Sequence, residues 1–142
     1  VTDHDEANDI AQNVWLKVWQ NLINFKAESG LFTWLYRIAS NECLAVLDKK
    51  NKRYIIPIED AENELSSSAD YSILDDDESI ETKLEYAINA LPDKQKLVFQ
   101  MRYYDEMPYE QMSEILGTSA GALKASYHHA AQKIEKFLLA ED

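Results

Sequence analysis

A run of basic residues around position 50 provides side chains that could bind an anionic ligand: Lys49, Lys50, Lys52 and Arg53. Cations so close together would neutralise neighbouring phosphates of a nucleic acid. The same run would also suit a solvated helix end, because cations are favoured at the negative end of a helix dipole. The residues alone leave both interpretations open.

No catalytic or metal-binding pattern stands out elsewhere in the sequence. Residues 3–6, Asp-His-Asp-Glu, have suitable types for a metal site, but contiguous side chains at a helix start diverge and no partner cluster appears. His128 and His129 would point about 100° apart on a helix, which makes the pair a poor metal site. The sequence shows no glycine-rich phosphate loop and no nucleophile–base pair. We therefore expect no enzymatic activity, no metal and no cofactor.

Composition indicates a soluble, mostly helical protein. Its 142 residues suit one ordinary domain or two small ones, and a hydrophobic fraction of 46% is enough to form cores. Only 3 Gly and 3 Pro favour long helices over many turns. Cys43 is the single cysteine and cannot form an internal disulfide, and no apolar run approaches the roughly 20 residues of a membrane span. We expect a cytoplasmic location, and the first residue, Val1, leaves open a missing upstream piece.

The net charge of −12 is concentrated in one segment of the chain. Residues 1–53 have 7 acidic and 7 basic side chains, residues 54–85 have 11 and 1, and residues 86–142 have 8 and 6. Because charges are screened over about 8 Å at physiological salt, the two flanks can bind an anion despite the overall charge. The acidic segment lacks apolar periodicity, which predicts a solvated linker between two modules.

Apolar residues at helical spacing predict two helices in the first module. One runs from Ala7 to Ile23, the other runs from Leu31 into the basic run, and residues 24–30 form a break. The apolar faces of these helices are too wide to be buried against each other alone. A third helix should therefore lie upstream of Val1, or a second copy of the chain should supply one.

The second module, residues 78–142, is predicted to contain four helices, with boundaries marked by Pro92 and Gly117. The third of these helices is short and ends at the glycine, and the fourth is long and capped by Thr118 or Ser119. A short helix, a glycine turn and a long helix form a helix-turn-helix, whose second helix enters the major groove of DNA.

Two strings of the first module resemble region 2 of the bacterial extracytoplasmic-function (ECF) sigma factors: Asp5-Glu-Ala-Asn-Asp-Ile-Ala-Gln-Asn-Val-Trp-Leu-Lys-Val-Trp19 and Phe25-Lys-Ala-Glu-Ser-Gly-Leu-Phe-Thr-Trp-Leu-Tyr-Arg-Ile-Ala-Ser-Asn41. The resemblance covers residues 3–53, without the first helix of the family's region 2. It implies that the first helix docks on the clamp helices of RNA polymerase through Asp9, Gln12 and Asn13. The family usually has an acidic residue at the last of these positions.

The resemblance also implies that the following loop and helix melt the promoter −10 element and hold an unstacked base. The positions that match these roles are Lys17, Phe25, Trp34, Tyr36 and Asn41. The residue types fit, because aromatic faces stack on exposed bases and an asparagine offers a donor and an acceptor to a base edge. The basic run 49–53 would neutralise nearby phosphates. Taken singly, Trp34 fits a core position better than a base platform, whereas Phe25 fits either.

Preceded by Leu91-Pro-Asp-Lys-Gln-Lys-Leu-Val-Phe99, the helix-turn-helix resembles region 4 of the same family over residues 78–138. The resemblance implies that the long helix contacts the promoter −35 element. Its outward positions are Ser119, Lys124, Ser126, His128, His129 and Lys133. Lys124 matches a lysine of the family motif. Many members have arginine at the positions of Ser126 and His129, so we expect low affinity for the element here.

We therefore predict an all-α protein of two small helical domains: a partial region 2 (1–53), an acidic linker (54–77) and region 4 (78–142). The predicted function is that of an ECF sigma factor, which binds core RNA polymerase and recognises the −10 and −35 elements of promoter DNA. We also expect an anti-sigma partner, no membrane insertion, and linker carboxylates that imitate RNA phosphates in a polymerase channel. Two alternatives stay open: a helix-turn-helix regulator that acts without polymerase core, and a module that binds polymerase without directing transcription.

Overall fold

The computed structural model describes residues 3–53 and 79–140. In these two ranges the chain forms six α-helices and no strand, which confirms the predicted all-α fold. The helices are α1 (His4–Asn21), α2 (Leu31–Arg53), α3 (Ile80–Asn89), α4 (Asp93–Tyr103), α5 (Tyr109–Leu116) and α6 (Ala120–Leu139). The predicted acidic linker, residues 54–77, lies outside the described residues.

Helix α1 begins at an aspartate cap and ends in a tighter turn. The Asp3 carboxylate accepts hydrogen bonds from the backbone N–H of Asp5 at 2.9 Å and of Glu6 at 3.4 Å. The acidic side chains of this first turn also suit the positive end of the helix dipole. A short 3₁₀ turn, Leu22–Asn24, follows the helix, and residues 25–30 form the predicted break.

Helices α1 and α2 pack together, and two ion pairs join them. Lys17 pairs with Glu42, and the Lys50 Nζ atom lies 3.3 Å from Glu6 Oε2. The later residue of α1 pairs with the earlier residue of α2, so the helices are antiparallel. Ile10 is the buried residue of α1.

An exposed apolar surface runs along α1 and into the 3₁₀ turn that follows it. Trp15, Trp19 and Ile23 are 64%, 80% and 91% exposed, and Leu31 and Phe32 at the start of α2 are exposed as well. These exposures agree with the argument that two helices cannot bury such wide apolar faces. The additional helix expected from an upstream segment or a second copy stays a prediction.

Helix α5 packs against α2 and belongs to the same compact unit as α1 and α2. The Arg37 guanidinium on α2 donates two hydrogen bonds to the Glu114 carbonyl of α5. Gly117 ends α5 with a φ of 65°, a conformation that glycine adopts without strain, as its position predicts. Residues 108–120 therefore belong to the same unit as the helices of the first module, because α5 packs on α2. The sequence-based division had assigned them to the second module. The domain bounds proposed from the sequence stay a prediction.

The second unit contains α3, α4 and the part of α6 from Gly121 onward. Its core is a cluster of buried apolar residues: Ala87, Ile88, Leu91, Phe99, Ala130, Ile134 and Phe137. The rings of Phe99 and Tyr127 stack with centroids 5.5 Å apart and planes 14° from parallel. Ile80 is 68% exposed because it is the first residue of α3, one turn before Leu84 reaches the cluster.

Candidate nucleic-acid interface

Helices α1 and α2 and the turn after α1 line a cavity of about 330 Å³. Its lining residues are Lys17, Asn21, Asn24, Trp34, Ile38 and Asn41. The lining positions of α2 follow an i, i+4, i+7 spacing, which puts them on one helix face. The volume is near the lower end of the range for ligand pockets, about 300–1,000 Å³. The cavity therefore combines one aromatic ring, three amides, one aliphatic side chain and one cation.

Three residues predicted from the sequence meet in this cavity: Lys17, Trp34 and Asn41. Phe25 contributes indirectly, since its ring packs against that of Trp34 with centroids 5.0 Å apart and planes at 44°. Trp34 is half-buried, so it packs within the unit and also lines the cavity. The core and ligand-contact interpretations of this tryptophan are thus compatible.

Tyr36 does not line the cavity. It follows Trp34 by two positions, which is about 200° around the helix, and its ring packs against Phe32 at 5.6 Å instead. Sequence reasoning missed two polar lining residues, Asn21 and Asn24. Asn21 lies one turn after Lys17 on the same helix face, and this i+4 spacing is the signal that could have found it.

Lys17 is not an unpaired cation. Its ammonium group donates to the Glu42 carboxylate of α2, and its backbone carbonyl accepts a hydrogen bond from Asn21 Nδ2 at 2.8 Å. The Lys17 side chain is 54% exposed, whereas that of Glu42 is only 13% exposed. Sequence reasoning missed Glu42, although it directly follows Asn41.

The basic run lies at the C-terminal end of α2, away from the cavity. Lys49, Lys50 and Lys52 are exposed there, and Arg53 is the last residue of the helix. Lys50 pairs with Glu6 of α1. At 1.5 Å per residue, Lys50 lies about 13 Å along the helix axis from Asn41. Part of this positive charge is therefore compensated within the unit.

The predicted polymerase-contact residues share one exposed surface of α1. Asp9, Gln12 and Asn13 have an i, i+3, i+4 spacing, and all three side chains are exposed. Leu16, which is 59% exposed, continues this surface by one turn. The structure thus brings the three predicted residues together and adds an apolar neighbour.

The predicted −35 residues lie on or beside α6. Its buried positions are Leu123, Ala130, Ile134 and Phe137. Lys124, His128, His129 and Lys133 are exposed, and Ser119 is exposed directly before the helix. Ser126 is partly buried. The amphipathic helix therefore keeps most of its predicted contact residues accessible.

Residues 3–53 and 79–140 contain no metal-binding cluster and no membrane-spanning helix. Over these ranges, no three His, Cys, Asp or Glu side chains come together in a way that could hold a metal ion. Within the same described residues, every helix is too short or too polar to cross a membrane.

Two family models match the chain. Sigma-70 region 2 matches residues 1–53, and Sigma-70, region 4 matches residues 81–134. The first matched range contains the cavity between α1 and α2, and the second contains α5 and most of α6.

Known proteins resemble the chain over nearly its full length. It is 30% identical to the ECF RNA polymerase sigma factor SigW of Bacillus subtilis (strain 168), over 94% of this chain and 75% of that protein. It is 27% identical to the RNA polymerase sigma-H factor of Pseudomonas aeruginosa, over 97% and 76%. The fold is similar to that of the sigma factor RpoE, which was solved in complex with the anti-sigma factor NepR from Bartonella quintana. The TM-score is 0.68, and the sequences are 21% identical over 100% of this chain and 86% of that chain. By its two matched regions and its identity to SigW, this chain belongs to the ECF family of RNA polymerase sigma factors.

Proposed function

We propose that this sigma factor directs promoter-specific initiation by holding one unpaired base of the −10 element in the cavity between α1 and α2. The supporting observation is that Lys17, Trp34 and Asn41 line this one cavity. Stacking of a base on an aromatic ring contributes about 1–3 kcal/mol. The asparagine amide supplies a donor and an acceptor for the base edge, so the site has both a stacking surface and a means of selection.

Lys49 and Lys52, exposed at the end of α2, bind phosphates of the same strand, whereas Lys50 is paired with Glu6. Lys49 and Lys52 lie about 12 and 16 Å along the helix axis from Asn41, so the phosphates they bind are separate from the base in the cavity. Lys49 and Lys52 are exposed beside Lys50. Phosphate contacts of this kind set the register of the strand, while the cavity reads a base.

Region 4 binds the −35 element through α6. Lys124, His128 and Lys133 are exposed on this helix and can reach the major groove and its phosphates. Ser126 and His129 stand where many members of the resembled family have arginine, so we expect weak binding in the absence of polymerase, because these side chains supply less positive charge.

Core RNA polymerase binds the exposed α1 surface of Asp9, Gln12 and Asn13. The polar positions supply hydrogen bonds, and the neighbouring Leu16 supplies apolar contact area. The protein acts with polymerase in the cytoplasm and has no enzymatic activity of its own. Residues 54–77 act as the linker between the regions, with carboxylates that imitate RNA phosphates.

An anti-sigma factor is a further expected partner, since the structurally similar RpoE was solved in complex with the anti-sigma factor NepR. Such a partner would compete for the surfaces that polymerase uses. Competition between the two partners for this chain, measured by displacement of labelled core polymerase, tests this expectation.

Run-off transcription with purified core polymerase tests the proposed function, with promoters selected from a random library as templates. Specific initiation that depends on this chain is the expected result. A helix-turn-helix regulator would instead bind duplex DNA tightly without polymerase. A module that only binds polymerase would form the complex and direct no transcription. Either of these results would contradict the proposal.

A further inference from the structure

We propose that Glu42 is a positioning residue for base selection in the cavity, and that it acts by holding the ammonium group of Lys17. This inference rests on the proposed function of the cavity and adds to it the source of its selectivity. Glu42 Oε2 accepts a hydrogen bond from Lys17 Nζ, which joins α2 to α1. Lys17 lines the cavity, and Glu42 stands next to Asn41, which lines it as well.

The two partners of this ion pair differ in exposure. The Glu42 side chain is 13% exposed and the Lys17 side chain is 54% exposed. The carboxylate is thus largely shielded from solvent, and the longer, more exposed lysine side chain extends from α1 to reach it. The Asn21 amide donates to the Lys17 backbone carbonyl at 2.8 Å, which stabilises the turn of α1 that carries the lysine. Glu42 on α2 thus holds the ammonium group at the cavity wall, and the Asn21 hydrogen bond stabilises the turn of α1 from which Lys17 extends.

This arrangement changes what Lys17 can recognise. An uncompensated ammonium group in a nucleic-acid site attracts any phosphate as a point charge, which carries no sequence information. Pairing with Glu42 compensates the charge but uses only part of the hydrogen-bonding capacity, since an ammonium group has three donors. The remaining donors can meet an acceptor on a base edge. Glu42 therefore favours selective base contact over indiscriminate phosphate binding.

The chain offers a matched control for this effect. Lys50 and Glu6 also form an ion pair between α1 and α2, at 3.3 Å, and Lys50 is 52% exposed. Neither residue lines the cavity. Glu42→Gln and Glu6→Gln each remove one carboxylate and release one lysine, but only the first of these lysines lines the cavity.

The test uses holoenzyme assembled from the full chain and core polymerase, bound to fork-junction DNA with a single-stranded −10 region. Affinity is measured by fluorescence anisotropy over a salt series, for the preferred −10 sequence and for probes with one substituted base. For both variants we expect the slope of log affinity against log salt to steepen by about 0.7, as for one added phosphate contact on a single strand. Only Glu42→Gln should reduce the preference for the correct base, by about fivefold or more, which corresponds to about 1 kcal/mol.

Two further variants separate positioning from charge and from folding. Glu42→Asp keeps the charge but shortens the reach by one methylene, so it should lose base preference with an unchanged salt slope. In a Lys17→Gln background, Glu42→Gln should have no further effect on base preference. Urea unfolding of each variant shows whether the chain remains folded under the assay conditions.

Equal base preference in wild type and Glu42→Gln, or an equal loss in Glu6→Gln, would overturn the inference. Persistence of the Glu42→Gln effect in the Lys17→Gln background would overturn it as well. A wild-type holoenzyme without any base preference in the −10 strand would instead contradict the proposed function of the cavity itself. The failures of the two proposals are therefore distinguishable.

Discussion

Arg37 and Glu114 lie 77 positions apart in the sequence, and two hydrogen bonds join them. The Nε and Nη2 atoms of Arg37 donate to the Glu114 carbonyl oxygen at 3.1 Å and 2.6 Å. This carbonyl lies in the last turn of α5, where helix carbonyls lack N–H partners from their own helix. The guanidinium of α2 therefore caps α5, and its positive charge suits the negative end of the helix dipole.

Replacement of this guanidinium should destabilise the protein. Arg37→Ala is expected to lower the free energy of unfolding by about 1 kcal/mol, because the carbonyl loses a charged donor on a partly exposed surface. Arg37→Lys should recover only part of the loss, since a lysine lacks the planar fork. Urea unfolding followed by circular dichroism measures both. Lys26→Ala, at an exposed loop position, is the control, and an equal effect of the control and Arg37→Ala would contradict the capping role.

Glu106 has a φ of 49° in the connection between α4 and α5, a conformation that costs a non-glycine residue about 1–2 kcal/mol. Its side chain is exposed, so that Glu106→Gly sacrifices little packing and should raise the free energy of unfolding by about 1 kcal/mol. Gly117→Ala, at a φ of 65°, should lower it by a similar amount. Urea unfolding of the pair checks this, and changes of the same sign would show that backbone strain is not the cause.

Cys43 should react slowly with alkylating reagents in the folded protein. Burial raises the pKa of the Cys43 thiol, and the nearby Glu42 carboxylate raises the pKa further. Folding therefore favours the neutral thiol. The resulting stability is present below the usual thiol pKa and is lost as pH rises through the raised value.

The rate of iodoacetamide labelling against pH, for folded and urea-unfolded chain, measures this shift. The folded chain should reach half its maximal rate at the higher pH. In parallel, wild type should lose more unfolding free energy than Cys43→Ala as pH rises above the usual thiol range. Identical pH profiles for folded and unfolded chain would contradict the burial effect.

Lys124, near the start of α6, should contribute more to −35 binding than Lys136, which lies in the last turn of the helix. Lys124→Ala is expected to weaken holoenzyme binding to a duplex −35 probe by about tenfold and to reduce the salt slope by about 0.9, as for one lost phosphate contact. Lys136→Ala removes the same charge from the last turn of α6 and should change binding little. Equal losses in the two variants would indicate a general charge effect and no specific contact.

The sequence predicted the helices well because their signals are local. Pro92 and Gly117 located two helix boundaries, and apolar spacing located the two ends of α1 to within about three residues. The packing of α5 on α2 was not predictable, because the hydrogen bonds that join the two helices run from Arg37 to a backbone carbonyl distant in sequence. A carbonyl is present at every residue and therefore has no sequence signature.

The candidate site was predictable only in part. The family resemblance pointed to Lys17, Trp34 and Asn41, and the structure brings these three to one cavity. The family resemblance did not indicate that Glu42 holds Lys17, because that pairing depends on the antiparallel register of α1 and α2. Tyr36 matched the same family role, yet its position on α2 takes it away from the cavity.

The most direct test of the central claim uses 2-aminopurine as a fluorescent base, placed in turn at each unpaired −10 position of a fork-junction probe. Holoenzyme containing this chain should alter the fluorescence strongly at one position, where the base enters the cavity and stacks on Trp34. Trp34→Ala and Asn41→Ala should each abolish this change, while Tyr36→Ala should preserve it. A uniform response at all positions, or an unchanged response in Trp34→Ala, would contradict the assignment of this cavity as the −10 base site.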